Sequence, residues 1–160
     1  MKRLILSISA LMVISLTASA ELPVKHVLTL ELAKEIVQKA EDEANRRGAT
    51  VVIAVVDDGG NLILLERLNN TQVASVDVAI GKARTASIFR RPSRVFEEQV
   101  KNGRVAAISL PGATPLQGGI PVIVNGEVIG AVGVSGNTPK EDEDIAIIAA
   151  AVASSMQDSK

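Results

Sequence analysis

The stretch IPVIVNGEVIGAVGVS (Ile120–Ser135) reads as two extended runs joined by Asn125-Gly126. A two-residue hairpin turn needs positive φ at both central positions, and Asn-Gly tolerates that at least cost. β-Branched residues fill both arms, so the stretch predicts an antiparallel hairpin. Gly130 and Gly133 leave one face of that hairpin bare. Such a face either admits another backbone or a ligand, or relieves crowding beneath a helix.

On either side of the hairpin the chain is rich in main-chain donors. The loop Pro111–Gly119, PGATPLQGG, can present N–H groups. Ser135-Gly136-Asn137 stands at the entry to a helix opened by Thr138, Pro139 and Glu141, which have the spacing of a capping box with proline at the first turn. A helix entry of this kind is a natural anion seat. The last helix should run from Pro139 to about Met156 with Ile145, Ile148, Ala149 and Val152 inward.

Upstream, Leu30, Ala33, Ile36, Val37, Ala40 and Ala44 recur at helical spacing and Gly48 offers a stop. TVVIAVVD (Thr50–Asp57), a turn at Asp58-Gly59-Gly60-Asn61 and LILLERL (Leu62–Leu68) predict a second hairpin, its first strand buried on both faces. Val73–Phe89 is an alanine-rich helix ended by Pro92, and Ser93 is placed to cap a short helix through Lys101. Two hairpins interleaved with helices predict the α+β class, one antiparallel sheet with helices packed over it.

Lys2 and Arg3, an apolar run from Leu4 to Leu16 and the small-residue pattern Ala18-Ser19-Ala20 have the form of a secretory signal peptide. Residues 1–20 are therefore expected to be removed, leaving a single domain over 21–160 in the periplasm or outside the cell. No second apolar span follows. Loss of Lys2 and Arg3 takes the formal charge from −1 to −3, and a mildly acidic chain has little to offer a nucleic-acid backbone.

The sequence contains no cysteine, tryptophan or tyrosine, which excludes disulfides and thiolate chemistry. With Phe89 and Phe96 as the only aromatics, a small aliphatic core gains burial from self-association, so a homo-oligomer is expected. A lone histidine and the absence of GxSxG leave no serine-histidine-acid set, and no strand-GxGxxG-helix unit marks a dinucleotide site.

GKARTASIFRRPS (Gly81–Ser93), PLQGGIPVIVNGEVIGAVGVSG (Pro115–Gly136) and NTPKEDEDIA (Asn137–Ala146) resemble the GlcG/HbpS family of haem-degrading and haem-binding domains, also found at the C-terminus of PduO-type proteins. The resemblance runs from about Thr29 to Met156. It implies a profilin-like or PAS-like fold, oligomeric assembly and, in some members, binding of haem, iron or cobalamin. Others accompany glycolate or diol utilisation. An exported member with these motifs is expected to sequester or relay haem or a related tetrapyrrole. The alternative is a small enzyme or accessory protein acting on a hydroxy or oxo acid.

Of the usual haem-iron ligands only His26 and Met156 remain beyond the leader. His26 is the candidate axial ligand and metal-binding residue, and Met156 is assigned to packing. Lys82 and Arg91, favoured over Arg84 and Arg90, are candidates to receive carboxylates, whether haem propionates or a small acid. Gly118, Gly119, Ser135, Gly136 and Asn137 complete the expected cofactor-binding set through their main chain. The acidic start of the last helix, Glu141 to Asp144, suits the helix dipole. A hard-cation site there would need Asp57 and Asp58 as partners.

Overall fold

A computed structural model of the chain describes residues 22–155; the expected signal segment and Met156 lie outside them. Four antiparallel strands, β1 (Val52–Asp57), β2 (Leu62–Arg67), β3 (Gly119–Val124) and β4 (Glu127–Ser135), form one sheet in the order β2-β1-β4-β3. Helices α1 (Leu30–Arg47), α2 (Ser75–Ile88), α3 (Arg94–Lys101), α4 (Pro139–Ala150) and α5 (Val152–Ser155) account for most of the remainder. The α+β architecture is as the hairpin patterns predict.

The two faces of the sheet carry separate cores. Ile53, Val55, Val132 and Val134 pack with α1 and α4 residues such as Ile36, Val37, Ile145 and Ala149. Val52, Ala54, Val56 and Ala131 point the other way, onto Ala79, Ala83 and Ala86 of α2. Strand β1 is central and covered on both sides, which explains why it reads as a continuous apolar run rather than an alternating one. No helix among the described residues is long and apolar enough to cross a membrane.

Local chemistry sets the ends of the helices. Thr29 caps α1 by accepting from Leu32 N at 3.2 Å, and Gly48 closes it at φ 66°. The Asn125-Gly126 turn adopts positive φ at both residues, 50° and 78°. Three details differ from the sequence reading. A 3-10 helix, Val105–Ser109, occupies part of the stretch before the glycine-rich loop. The last helix breaks at Ala151, between α4 and α5. Ser93 precedes α3 but its side chain does not cap it: the hydroxyl donates to Leu116 O at 2.6 Å and accepts from Gly119 N at 2.8 Å, tying the loop to the start of β3.

Gly130 and Gly133 do not share one bare face as expected: the alternation of β4 turns Gly133 toward α2 and Gly130 toward Leu28 on the α1 side. A Cβ on Gly133 would lie 2.2 Å from Ala79 O, and one on Gly119 would lie 2.1 Å from Lys82 O. Helix α2 therefore rests its backbone on these glycines, the helix-crowding alternative of the two, and no ligand can lie there.

Candidate functional site

The residues expected to form one cofactor site lie in three places. Gly118, Gly119, Ser135, Gly136 and Asn137 gather with Lys82 around the start of α4, at the Ser135 end of β4. Arg91 is at the corner between α2 and α3, and His26 pairs with Glu127 at the opposite end of β4. Eight residue steps of about 3.3 Å separate the ends of that strand by roughly 26 Å. Within one chain a single ligand cannot touch both.

At the α4 end the anion seat exists, but the protein fills it with its own carboxylate. Lys82 Nζ donates to Asp142 Oδ2 at 2.8 Å and to Val134 O at 2.9 Å. The other oxygen of Asp142 accepts from Asn137 N at 3.0 Å. Lys82 and Asp142 are 3% and 2% exposed. A charge buried to that degree needs a bonded counter-charge, and each has one, so the role expected of Lys82 toward an external carboxylate is taken by Asp142.

Gly118, at φ 122°, lets the loop pass this pair, since a Cβ there would lie 2.7 Å from Val134 O and 2.9 Å from Lys82 Nζ. Next to it Gln117 binds two acids, its backbone N–H donating to Glu97 at 2.6 Å and its side chain to Glu143 at 2.7 Å. Arg94 Nε lies 3.3 Å from the second oxygen of Glu143, an ionic contact without a hydrogen bond's alignment. Thr138 caps α4 as expected, although Glu141 accepts from its hydroxyl, at 2.6 Å, rather than from its backbone.

The hard-cation alternative does not assemble. Asp57 accepts from both nitrogens of Asn61, Asp58 pairs with Lys25 at 2.6 Å, and both lie at the far end of β1 from Asp142. Among the described residues no group of three or more His, Cys, Asp or Glu is placed to hold a metal ion.

Arg91 spans an aromatic pair. Phe89 and Phe96 have ring centroids 4.8 Å apart, the Arg91 guanidinium carbon is 5.9 Å from the Phe96 centroid, and its Nε donates to Phe89 O at 3.1 Å. The side chain is exposed and pairs with no acid among the described residues, so its outer nitrogens can receive a carboxylate. Ile88, Leu116, Val105 and Ile108 expose apolar surface on the adjoining helix and loop segments.

His26 is the other open group. Its Nδ1 is 3.0 Å from Glu127 Oε2, with the ring 47% exposed. An ionised carboxylate only accepts, so Nδ1 is the donor to Glu127 and Nε2 is the ring nitrogen left to face a ligand. The His26 hydrogen bond in turn holds the Glu127 carboxyl below the usual range. A histidine fixed by a carboxylate through one nitrogen and open at the other is the arrangement proteins use for metal ligation. Val24 and Val27 flank it in sequence with 87% and 65% exposure. Residue types at this position therefore fit haem iron and an apolar macrocycle. Glu127 could not be foreseen, because it lies 101 positions from His26 and nothing in the spacing marks it.

An antiparallel α+β domain with a carboxylate-backed surface histidine is the class these features define. The chain belongs to the family described as haem degrading protein HbpS-like, whose profile matches residues 28–151. It is 42% identical over 111 residues to Protein GlcG of Escherichia coli K12, covering 69% of this chain and 83% of that protein. A crystal structure of Streptomyces reticuli HbpS superposes with a TM-score of 0.76 at 31% identity, over 90% of this chain and 97% of that one. The PduOC haem complex shares the fold, with a TM-score of 0.72 at 24% identity over 79% and 95% of the two chains.

Proposed function

We propose that this protein binds haem as an exported, self-associating carrier, with His26 Nε2 as the axial ligand. The observation that carries the reading is the His26–Glu127 pair, in which the carboxylate takes Nδ1 while the ring stays half-exposed beside the exposed Val24 and Val27. Haem would supply the iron; the chain supplies the ligand, the apolar cover and, through Arg91, a counter-charge for a propionate.

Because His26 and Arg91 stand on different parts of one chain, the reading places the porphyrin between copies, with the histidine of one and the arginine of another. The signal-like leader agrees with a carrier that meets free haem outside the cytoplasm. The family description supports haem as the ligand, and the fold is shared with a protein crystallised as a haem complex. The test is a haemin titration followed by absorbance, run with size-exclusion chromatography of the free and loaded protein. A saturable band shift accompanied by a higher-order species is expected, and the absence of any saturable shift would remove the reading.

A further inference from the structure

The sequence holds two Asn-Gly steps, Asn102-Gly103 and Asn125-Gly126. At such a step the main-chain nitrogen that follows the asparagine can attack the side-chain amide carbon, and glycine, with no Cβ, hinders that attack least. The two steps are held differently. At the end of α3 the Gly103 N–H donates to Val100 O at 3.0 Å and the Asn102 N–H to Glu98 O at 2.9 Å. At the tip of the β3–β4 hairpin the Gly126 N–H makes no hydrogen bond among the described residues, and Asn125 and Gly126 are both exposed. A Cβ on either glycine would meet nothing within 4 Å, so the hydrogen bonds alone separate the two.

The residue just past the turn gives the reaction a consequence. Val124 and Glu127 are the last pair of the hairpin ladder, and the Asn125-Gly126 turn between them fixes their register. Glu127 Oε2 lies 3.0 Å from His26 Nδ1 and 3.5 Å from the His26 backbone nitrogen. One carboxylate oxygen thus holds both ends of the chain's single histidine, and the turn sets where that oxygen stands.

We propose that Asn125 is a site of spontaneous deamidation and that its isoaspartyl product separates Glu127 from His26. Gly126 N bonds to Asn125 Cγ, the Cγ–Nδ2 bond breaks, and Nδ2 leaves as ammonia with the proton of the Gly126 amide. Water then opens the succinimide ring. Addition at Cγ gives aspartate; addition at the main-chain carbonyl carbon gives isoaspartate, whose chain runs on through Cβ and Cγ. The added main-chain carbon breaks the match between a two-residue turn and its strands, and Glu127, the first residue beyond the turn, moves first. Aspartate leaves the main chain intact and, at an exposed turn, adds only a charge. The chemistry stands whether or not His26 binds haem.

Ageing the full chain in mildly alkaline buffer and mapping its peptides by mass tests the first step. Conversion of amide to acid is expected at Asn125 about fivefold faster than at Asn102, or more, since the Gly103 amide must first give up a hydrogen bond. Enzymatic methylation specific for isoaspartate should label the Asn125 peptide. Asn125→Gly keeps positive φ accessible at the turn and should leave only the slow reaction at Asn102. Ring signals of the single histidine, followed by NMR, test the second step without haem. They should move in the isoaspartyl protein toward their positions in Glu127→Gln and stay in place in Asn125→Asp. No conversion at Asn125, or conversion at Asn102 that is equal or faster, would overturn the assignment, and unmoved His26 signals in the isoaspartyl protein would overturn the coupling to Glu127.

Discussion

Lys82 and Asp142, sixty positions apart in sequence, meet at 2.8 Å with side chains only 4% and 3% exposed. The contact joins α2 to the first turn of α4, and the Val134 carbonyl and Asn137 amide complete it. Removing one partner of such a pair strands the other charge, at a cost of about 3–5 kcal/mol, whereas replacing both with apolar residues of similar size is often near neutral. Chemical denaturation should therefore show Lys82→Met and Asp142→Leu each strongly destabilised, with the double variant recovering much of the loss. Single variants that lose less than about 1 kcal/mol, a loss typical of an exposed pair, would mean the pair is solvated.

Gly133 and Gly126 separate two uses of glycine. Gly133→Ala drives a methyl group into the Ala79 carbonyl at 2.2 Å. Packed backbone must shift to relieve that overlap, so a loss of at least 1–3 kcal/mol is expected. Gly126→Ala meets nothing within 4 Å and strains only the turn, at φ 78°, which costs about 1 kcal/mol. Urea unfolding of both variants gives the order, and a larger loss at Gly126 would contradict the packing of α2 on β4.

Acid should weaken α1 through Glu43. Arg46 and Arg47 hydrogen-bond this carboxylate at 2.6 to 2.8 Å and hold it at about 2. A carboxyl depressed in the folded state contributes stability above its unfolded value, about 4.3, and loses it as pH falls toward 2. Glu43→Gln should therefore lower stability at pH 6 and flatten its dependence between about pH 4.5 and 2. An unaltered slope across that window would show that the two arginines do not hold the carboxylate in solution.

Much of the fold was legible from period and punctuation. Asn125-Gly126 and Asp58 to Asn61 marked both hairpins, and Gly48 and Thr138 marked helix ends, because these signals are local. The candidate site was legible only in its parts. Lys82, Gly118, Gly119 and Asn137 do meet, yet the anion they surround is Asp142, a residue whose place in the first turn of α4 already suits the helix dipole. Ser93 reads as a cap and serves as a bridge between Leu116 and Gly119. Glu127 gives no sequence signal at all. Pairings made across the sheet leave no periodic trace, which is why residue types were found and their partners were not.

The central claim, that His26 ligates haem iron while Glu127 orients it, is tested most directly by one set of haemin titrations comparing the parent protein with His26→Ala and Glu127→Gln. The account predicts a saturable, shifted absorbance band in the parent, its loss in His26→Ala, and in Glu127→Gln a retained band with affinity weakened about 10-fold or more, as befits a residue that holds the ligand rather than the metal. A band of the same position and affinity in His26→Ala would contradict it.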